Sequence, residues 1–236
     1  MAFSAKTHRR GFLGRILGTA AALSVAGEGQ RAEAQTAGPD EWIKGVKGAH
    51  RCLFDFPANG GGVPLIHMLM YLKTYQEAYA TRPGEVNAIG TLYFVGPTAS
   101  IPLAFNDAMW AKYGLGDYLG LKDASGKAYT RNVFAKPTAD DLHLLMAAIQ
   151  SPTIPAFAGA MPAIGIESLQ KMGTTFLLCA NAFGGWCEEL QARGKGKSAD
   201  LMKDLSANLL PGVIVVPAMV IAIEKAQGAG MAYNRQ

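Results

Sequence analysis

From residue 51 onward, apolar runs of strand length alternate with longer stretches whose apolar positions recur every three to four residues. Residues 51–56 (Arg-Cys-Leu-Phe-Asp-Phe) form the first run, which ends at Pro57 and the triplet Gly60-Gly61-Gly62. Over 63–80, Leu65, Leu69, Leu72, Tyr75, Gln76 and Tyr79 share one side at about 100° per residue, which predicts a helix. The same reading gives strands at 86–95, 174–179 and 213–216, with a short last one at 232–233. Helices are expected at 101–113, 140–150, 164–172, 181–193, 201–209 and 218–227, with Gly173 closing the third of these. Residues 114–137 are polar and lack a clear period; they read as a long surface excursion turning at Asp123-Ala124-Ser125-Gly126.

Strands alternating with helices predict a single-domain α/β fold, a mostly parallel sheet flanked by helices on both faces with Rossmann- or flavodoxin-like layering. The domain spans 49–236, and 35–48 reads as a flexible leading segment. In such a sheet every strand-to-helix turn opens at one edge, where ligands bind. That edge gathers 57–62, 96–100, 179–181 and 217–218, so the candidate binding residues are Gly60, Gly61, Gly62, Thr98, Ser100, Asn181 and Pro217. The glycine triplet offers backbone N–H groups to an anion at a helix start, although it is neither a Walker loop nor GxGxxG. His67, close behind the triplet, points away from the Leu65/Leu72 side. It is a candidate acid/base or ligand at the edge, against the plainer reading of a solvated or interface histidine.

Ahead of the domain, Lys6, Arg9 and Arg10 precede an apolar segment over 16–26, and Ala32-Glu33-Ala34 follows as a small-x-small cleavage site. Arg9-Arg10-Gly11-Phe12-Leu13 resembles a twin-arginine export signal; the plainer reading is a disordered basic arm. The resemblance implies a folded protein carried by the Tat translocase across a bacterial inner membrane, with residues 1–34 removed and the remainder in the periplasm. A segment of 11 residues falls well short of the ~20 that span a bilayer, so no stable membrane anchor is expected after cleavage. Removal of 1–34 leaves 17 Lys/Arg against 16 Asp/Glu, a net of +1, where the whole chain carries +4. A nucleic-acid partner therefore has no electrostatic support.

Three cysteines form neither a disulfide framework nor a CxxC, CxxCH or zinc-type spacing, and no metal is expected. Cys52 lies within an apolar strand and reads as a small core residue. Cys179 ends a strand just before a helix whose expected N-cap is Asn181. There it meets unpaired backbone N–H groups and the positive end of the helix dipole, which favour a thiolate. The plainer alternative is a buried, inert thiol. Cys187, six residues beyond Asn181 and beside Trp186, reads as a packed thiol, with a resolving role as the alternative.

Phe176-Leu177-Leu178-Cys179-Ala180-Asn181, followed by the run Leu209-Leu210-Pro211-Gly212-Val213-Ile214-Val215-Val216-Pro217-Ala218 and by Ile223, Gln227, Gly230 and Tyr233, resembles the C-terminal half of DsrE/DsrF-like proteins. The likeness covers roughly residues 161–233. It implies a small parallel α/β domain, a homo-oligomer, and a cysteine that carries persulfide sulfur between partners; by position that residue is Cys179. Two functions follow. One is a thiol protein with Cys179 as sulfur carrier or redox nucleophile, acting on a sulfur-containing small molecule or a periplasmic protein partner. The other is a non-catalytic ligand-binding or accessory subunit in which Cys179 is merely packed. The cofactor, if any, is unknown from sequence.

Overall fold

The computed structural model describes residues 38–236; the segment expected to be an export signal, with its expected cleavage site, lies outside the described residues. Strands β1 (His50–Asp55), β2 (Val86–Leu92), β3 (Thr174–Cys179), β4 (Val213–Val216) and β5 (Ala232–Arg235) form one sheet in the order β4-β3-β2-β1-β5. Every pairing is parallel. The three central strands are apolar on both faces, as strands covered on both sides must be. Cys52, Phe54, Ala88, Phe176 and Leu178 face one layer, and Leu53, Ile89, Leu177 and Cys179 face the other. Gly90 is required here, because a Cβ would come within 2.7 Å of the Phe176 ring.

Strand order decides how the helices divide. The chain steps outward from β1 through β2 and β3 to β4, and right-handed crossovers put all of those connections on one face. That thick layer holds α2 (Val63–Ala78), α3 (Asp107–Tyr113), α4 (Leu115–Tyr118), α5 (Leu142–Ala148), α6 (Ile166–Lys171), α7 (Ala180–Ala192) and α8 (Ser198–Ser206). From β4 the chain returns across the whole sheet to β5, so the last helix, α9 (Met219–Gly228), covers the opposite face. There it buries Met219, Ala222 and Ala226 beside Trp42 of α1 (Glu41–Gly45). The α/β class and the layering on both faces are as the periodicity indicates. Helix α1 escapes the sequence reading because five residues are too few to show a period.

Two expected elements differ in detail. The helix anticipated at 101–113 is a 3-10 turn, Ile101–Ala104, and a separate α3; the break falls at Phe105 and Asn106, whose side chain caps the N–H of Met109 at 3.2 Å. The 114–137 excursion is exposed at its turn but anchored elsewhere, with α4 inside it and Tyr129, Val133, Phe134 and Ala135 buried. Asn132 is the fastener. Its Nδ2 donates to the carbonyls of Leu103 (2.9 Å) and Phe105 (2.8 Å), and its Oδ1 accepts from the N–H groups of Phe134 and Ala135. A polar side chain supplying the partners for several backbone groups lets an irregular segment be buried.

Asp141 closes the same region. Its carboxylate accepts from Arg131 at 2.6 and 2.7 Å, from the Tyr129 hydroxyl at 2.7 Å and from the Thr138 N–H at 2.7 Å. Burial pushes its pKa up, but these donors outweigh burial and hold it below the usual carboxylate value. A lowered native pKa means stability that is present above about pH 4 and lost as pH falls through the native value. Arg131→Leu is therefore expected to cost about 2 kcal/mol at pH 7. In urea denaturation the gap from the unsubstituted protein narrows at pH 3; an equal gap at both pH values would contradict this assignment.

Candidate functional site

Strand β3 runs into α7 without an intervening loop residue, so the last strand residue, Cys179, itself becomes the N-cap. Its Sγ accepts the N–H of Ala182 at 3.4 Å. A second donor arrives from across the sheet: the N–H of Met219, the first residue of α9, lies 3.3 Å from the same sulfur. First-turn N–H groups have no partner within their own helix and carry the positive end of its dipole. Two such helix starts thus converge on one sulfur, and each directs an N–H donor at it. The side chain is only 5% exposed.

The expected cap, Asn181, is instead the second residue of α7; its side chain is exposed and its N–H donates to the Pro217 carbonyl at 3.3 Å. Pro217 therefore belongs to the site through its carbonyl, tying the β4–α9 turn to the start of α7. Cys179 and Cys187 are not joined, and all three cysteines are free thiols. Burial pushes Cys52 up to about 11 and Cys187 up to about 12, which leaves both as poor nucleophiles.

The glycine triplet does not form the open anion cradle its composition suggests. The N–H groups of Gly61 and Gly62 are taken by Asn59, through Oδ1 and the backbone carbonyl at 3.0 Å each, and that of Val63 bonds to the Gly60 carbonyl. Gly61 is needed for close approach, since a Cβ would meet Ala148 at 2.7 Å and the Leu144 carbonyl at 2.9 Å. The loops after β1 and β2 are zipped together: Asn59 N–H donates to Thr98 O at 2.8 Å, and Ser100 N–H to Pro57 O at 2.9 Å. Ser100 Oγ is occupied by the Tyr93 backbone, from which it accepts and to which it donates. Gly60, Gly61, Gly62, Thr98 and Ser100 thus make a closed clasp. His67 is exposed and bonds through Nδ1 to the side chain of Gln236, on the face opposite Cys179; the structure does not bring the two together.

A group that sequence reasoning passed over lies on the Cys179 face. Asp55, the last residue of β1, is 1% exposed. Its Oδ1 accepts from the Tyr93 hydroxyl at 2.8 Å and Thr91 Oγ1 at 3.3 Å; its Oδ2 accepts from the Tyr233 hydroxyl at 2.6 Å, with Arg235 Nη1 at 3.9 Å. Burial and the bond to Asp55 raise the Tyr93 pKa, and the same bond, then burial, raises that of Tyr233. Both hydroxyls stay protonated and pinned as donors. The available signal was an aspartate inside an apolar strand, since a buried carboxylate requires partners. Those partners come from β2 and β5, and the register sets Asp55 beside Arg235. Tyr93, one residue past the Leu92–Leu178 pair, packs against the cluster that contains Cys179, so the polar group and the thiol share the carboxyl edge of the sheet.

An open groove of ≈ 330 Å³ lies away from this edge, on the outer side of α2 between Met70, Tyr71, Thr74, Tyr75 and Tyr79. Among the described residues no cluster of His, Cys, Asp and Glu is placed to hold a metal ion, and no helix is long and apolar enough to cross a membrane. Compared with protein-family models, curated proteins and solved structures, the chain matches none.

The double capping has a measurable consequence. Cys179→Ala removes the acceptor for both helix starts and is expected to lower stability by about 1–2 kcal/mol. Cys179→Ser keeps an acceptor that suits an N-cap and is expected to cost less than Cys179→Ala in a thermal or urea melt. Equal stability of the alanine variant and the unsubstituted protein would show that the sulfur holds neither helix.

Proposed function

We propose that this chain is an exported protein of the DsrE/DsrF-like kind, working in the periplasm, in which Cys179 is a sulfur-carrying or redox thiol. The observation that carries the reading is the convergence of the Ala182 and Met219 N–H groups on Sγ. The other two thiols lack such donors and are raised by burial. In a sulfur-carrier step the Cys179 thiolate attacks the outer sulfur of a persulfide donor, R–S–SH. The bond from Sγ to that sulfur forms as the donor's S–S bond breaks, leaving Cys179–S–SH and the donor thiolate R–S⁻. With Sγ so little exposed, the donor that fits is a small sulfur-containing molecule.

One observation favours the second reading, an accessory or ligand-binding subunit. A buried sulfur that accepts two N–H bonds also serves as a purely structural clasp. Mass spectrometry of the protein purified without reductant from its native compartment separates the two. The sulfur-carrier reading expects a fraction of chains with one added sulfur, about 32 Da, localised to the Cys179 peptide and absent from Cys179→Ser. An unmodified Cys179 that also takes up no sulfur from added glutathione persulfide would favour the structural clasp and overturn the proposal.

A further inference from the structure

The two edges of the sheet are built differently. At one edge, β5 is exposed along its length but carries Asn234 and Arg235, and Tyr233 is tied down to Asp55. Charge and polarity of this kind keep an open strand from pairing with another chain. At the other edge, β4 pairs with β3 alone and reads Val-Ile-Val-Val. Ile214 is 36% and Val215 44% exposed, on opposite faces of the strand, although Val216 is buried and Val213 half-buried beside them. The first turn of α9 continues the patch, with Val220 73% and Ile221 50% exposed. No charged residue occurs between Asp204 and Glu224. Apart from the Val213 N–H, which donates to the Leu210 carbonyl, the outer edge of the strand pairs with no other strand, and it has apolar side chains and no charge, bulge or internal proline to block pairing.

We infer that β4 is the seam of a homodimer, pairing antiparallel with β4 of a second copy to give a continuous ten-stranded sheet. A two-fold axis centred on Val215 sets that residue against its own image and Ile214 against Val216 of the second copy, so three of the four strand residues pair with like-facing partners. An uncharged edge is matched by an uncharged edge, and this chain supplies one. The exposed parts of Ile214, Val215, Val220 and Ile221 come to roughly 350 Å² of apolar surface, nearly half of the ~800 Å² that each partner of a stable dimer covers. Exposed Pro211, Gly212 and Pro217 and the strand backbone continue the same surface. The seam lies one strand from the thiol: Val216 is the register partner of Cys179, and Met219, between the strand and Val220, donates to its sulfur. The inference is independent of whether that thiol reacts.

Analytical ultracentrifugation of the mature chain tests it, alone and as Val215→Lys, Ile221→Lys and Tyr79→Lys. Tyr79 is 69% exposed on α2 and serves as the control. All three positions are exposed, so the variants are expected to fold, which circular dichroism checks; either seam variant suffices if the other unfolds. The expected result is a dimer at micromolar concentration for the unsubstituted chain and Tyr79→Lys, with at least tenfold weaker association for the seam variants. Amide exchange over 213–216 should also slow as protein concentration rises. A monomer at 100 µM, or an oligomer that survives both seam variants, would overturn the assignment.

Discussion

Helices on opposite faces of a sheet have no reason to touch, yet α7 and α9 both begin at the same sulfur atom. This follows from the strand order. Because β4 is the last outward step and β5 pairs on the far side of β1, the chain must turn from one face to the other directly after β4. The turn brings the N–H of Met219 to the end of β3, where Cys179 already caps α7. The thick layer, with Phe183, Trp186 and Cys187 of α7, and the thin layer, with Met219 and Ala222 of α9, are thereby joined at one residue. Any chemistry at the thiol is done by the group that holds the two layers in register.

The same reversal explains the second polar feature of the edge. Bringing β5 beside β1 sets Tyr233 and Arg235 around Asp55, while β2 contributes Thr91 and the residue just after it, Tyr93. A carboxylate with this little exposure is sustained only by several donors, and here they come from both strands that flank β1 and from the residue that follows β2. Asp55 thus fastens the final strand, and Tyr93 links it to the cluster that contains Cys179. The carboxyl edge holds two buried acceptors, a thiol and a carboxylate. Each is satisfied by groups far apart in sequence.

Much of this fold is legible in the chain because local pattern and tertiary role agree. The strands at 174–179 and 213–216 are continuous apolar runs between turn residues, and the structure keeps those bounds. Cys179 at a strand-to-helix junction was readable for the same reason. The rest depends on long-range pairing that periodicity does not encode. The glycine triplet looks like an anion loop until Asn59 is seen to take the N–H groups of Gly61 and Gly62. Asn181 looks like a cap until the strand is seen to enter the helix directly. Residues 114–137 look solvated because their buried polar residue, Asn132, has its partners about 30 positions away. The donor from Met219 depends on strand order, which sequence pattern does not supply.

The most direct measurement is the relative rate at which the three cysteines of the folded protein are alkylated at pH 7, read by peptide mass spectrometry in a single digest. The account predicts that iodoacetamide modifies Cys179 at least tenfold faster than Cys52 and Cys187, and that the difference disappears when the chain is unfolded in urea. Equal, slow modification of all three in the folded protein would contradict it, leaving Cys179 as a clasp and no more.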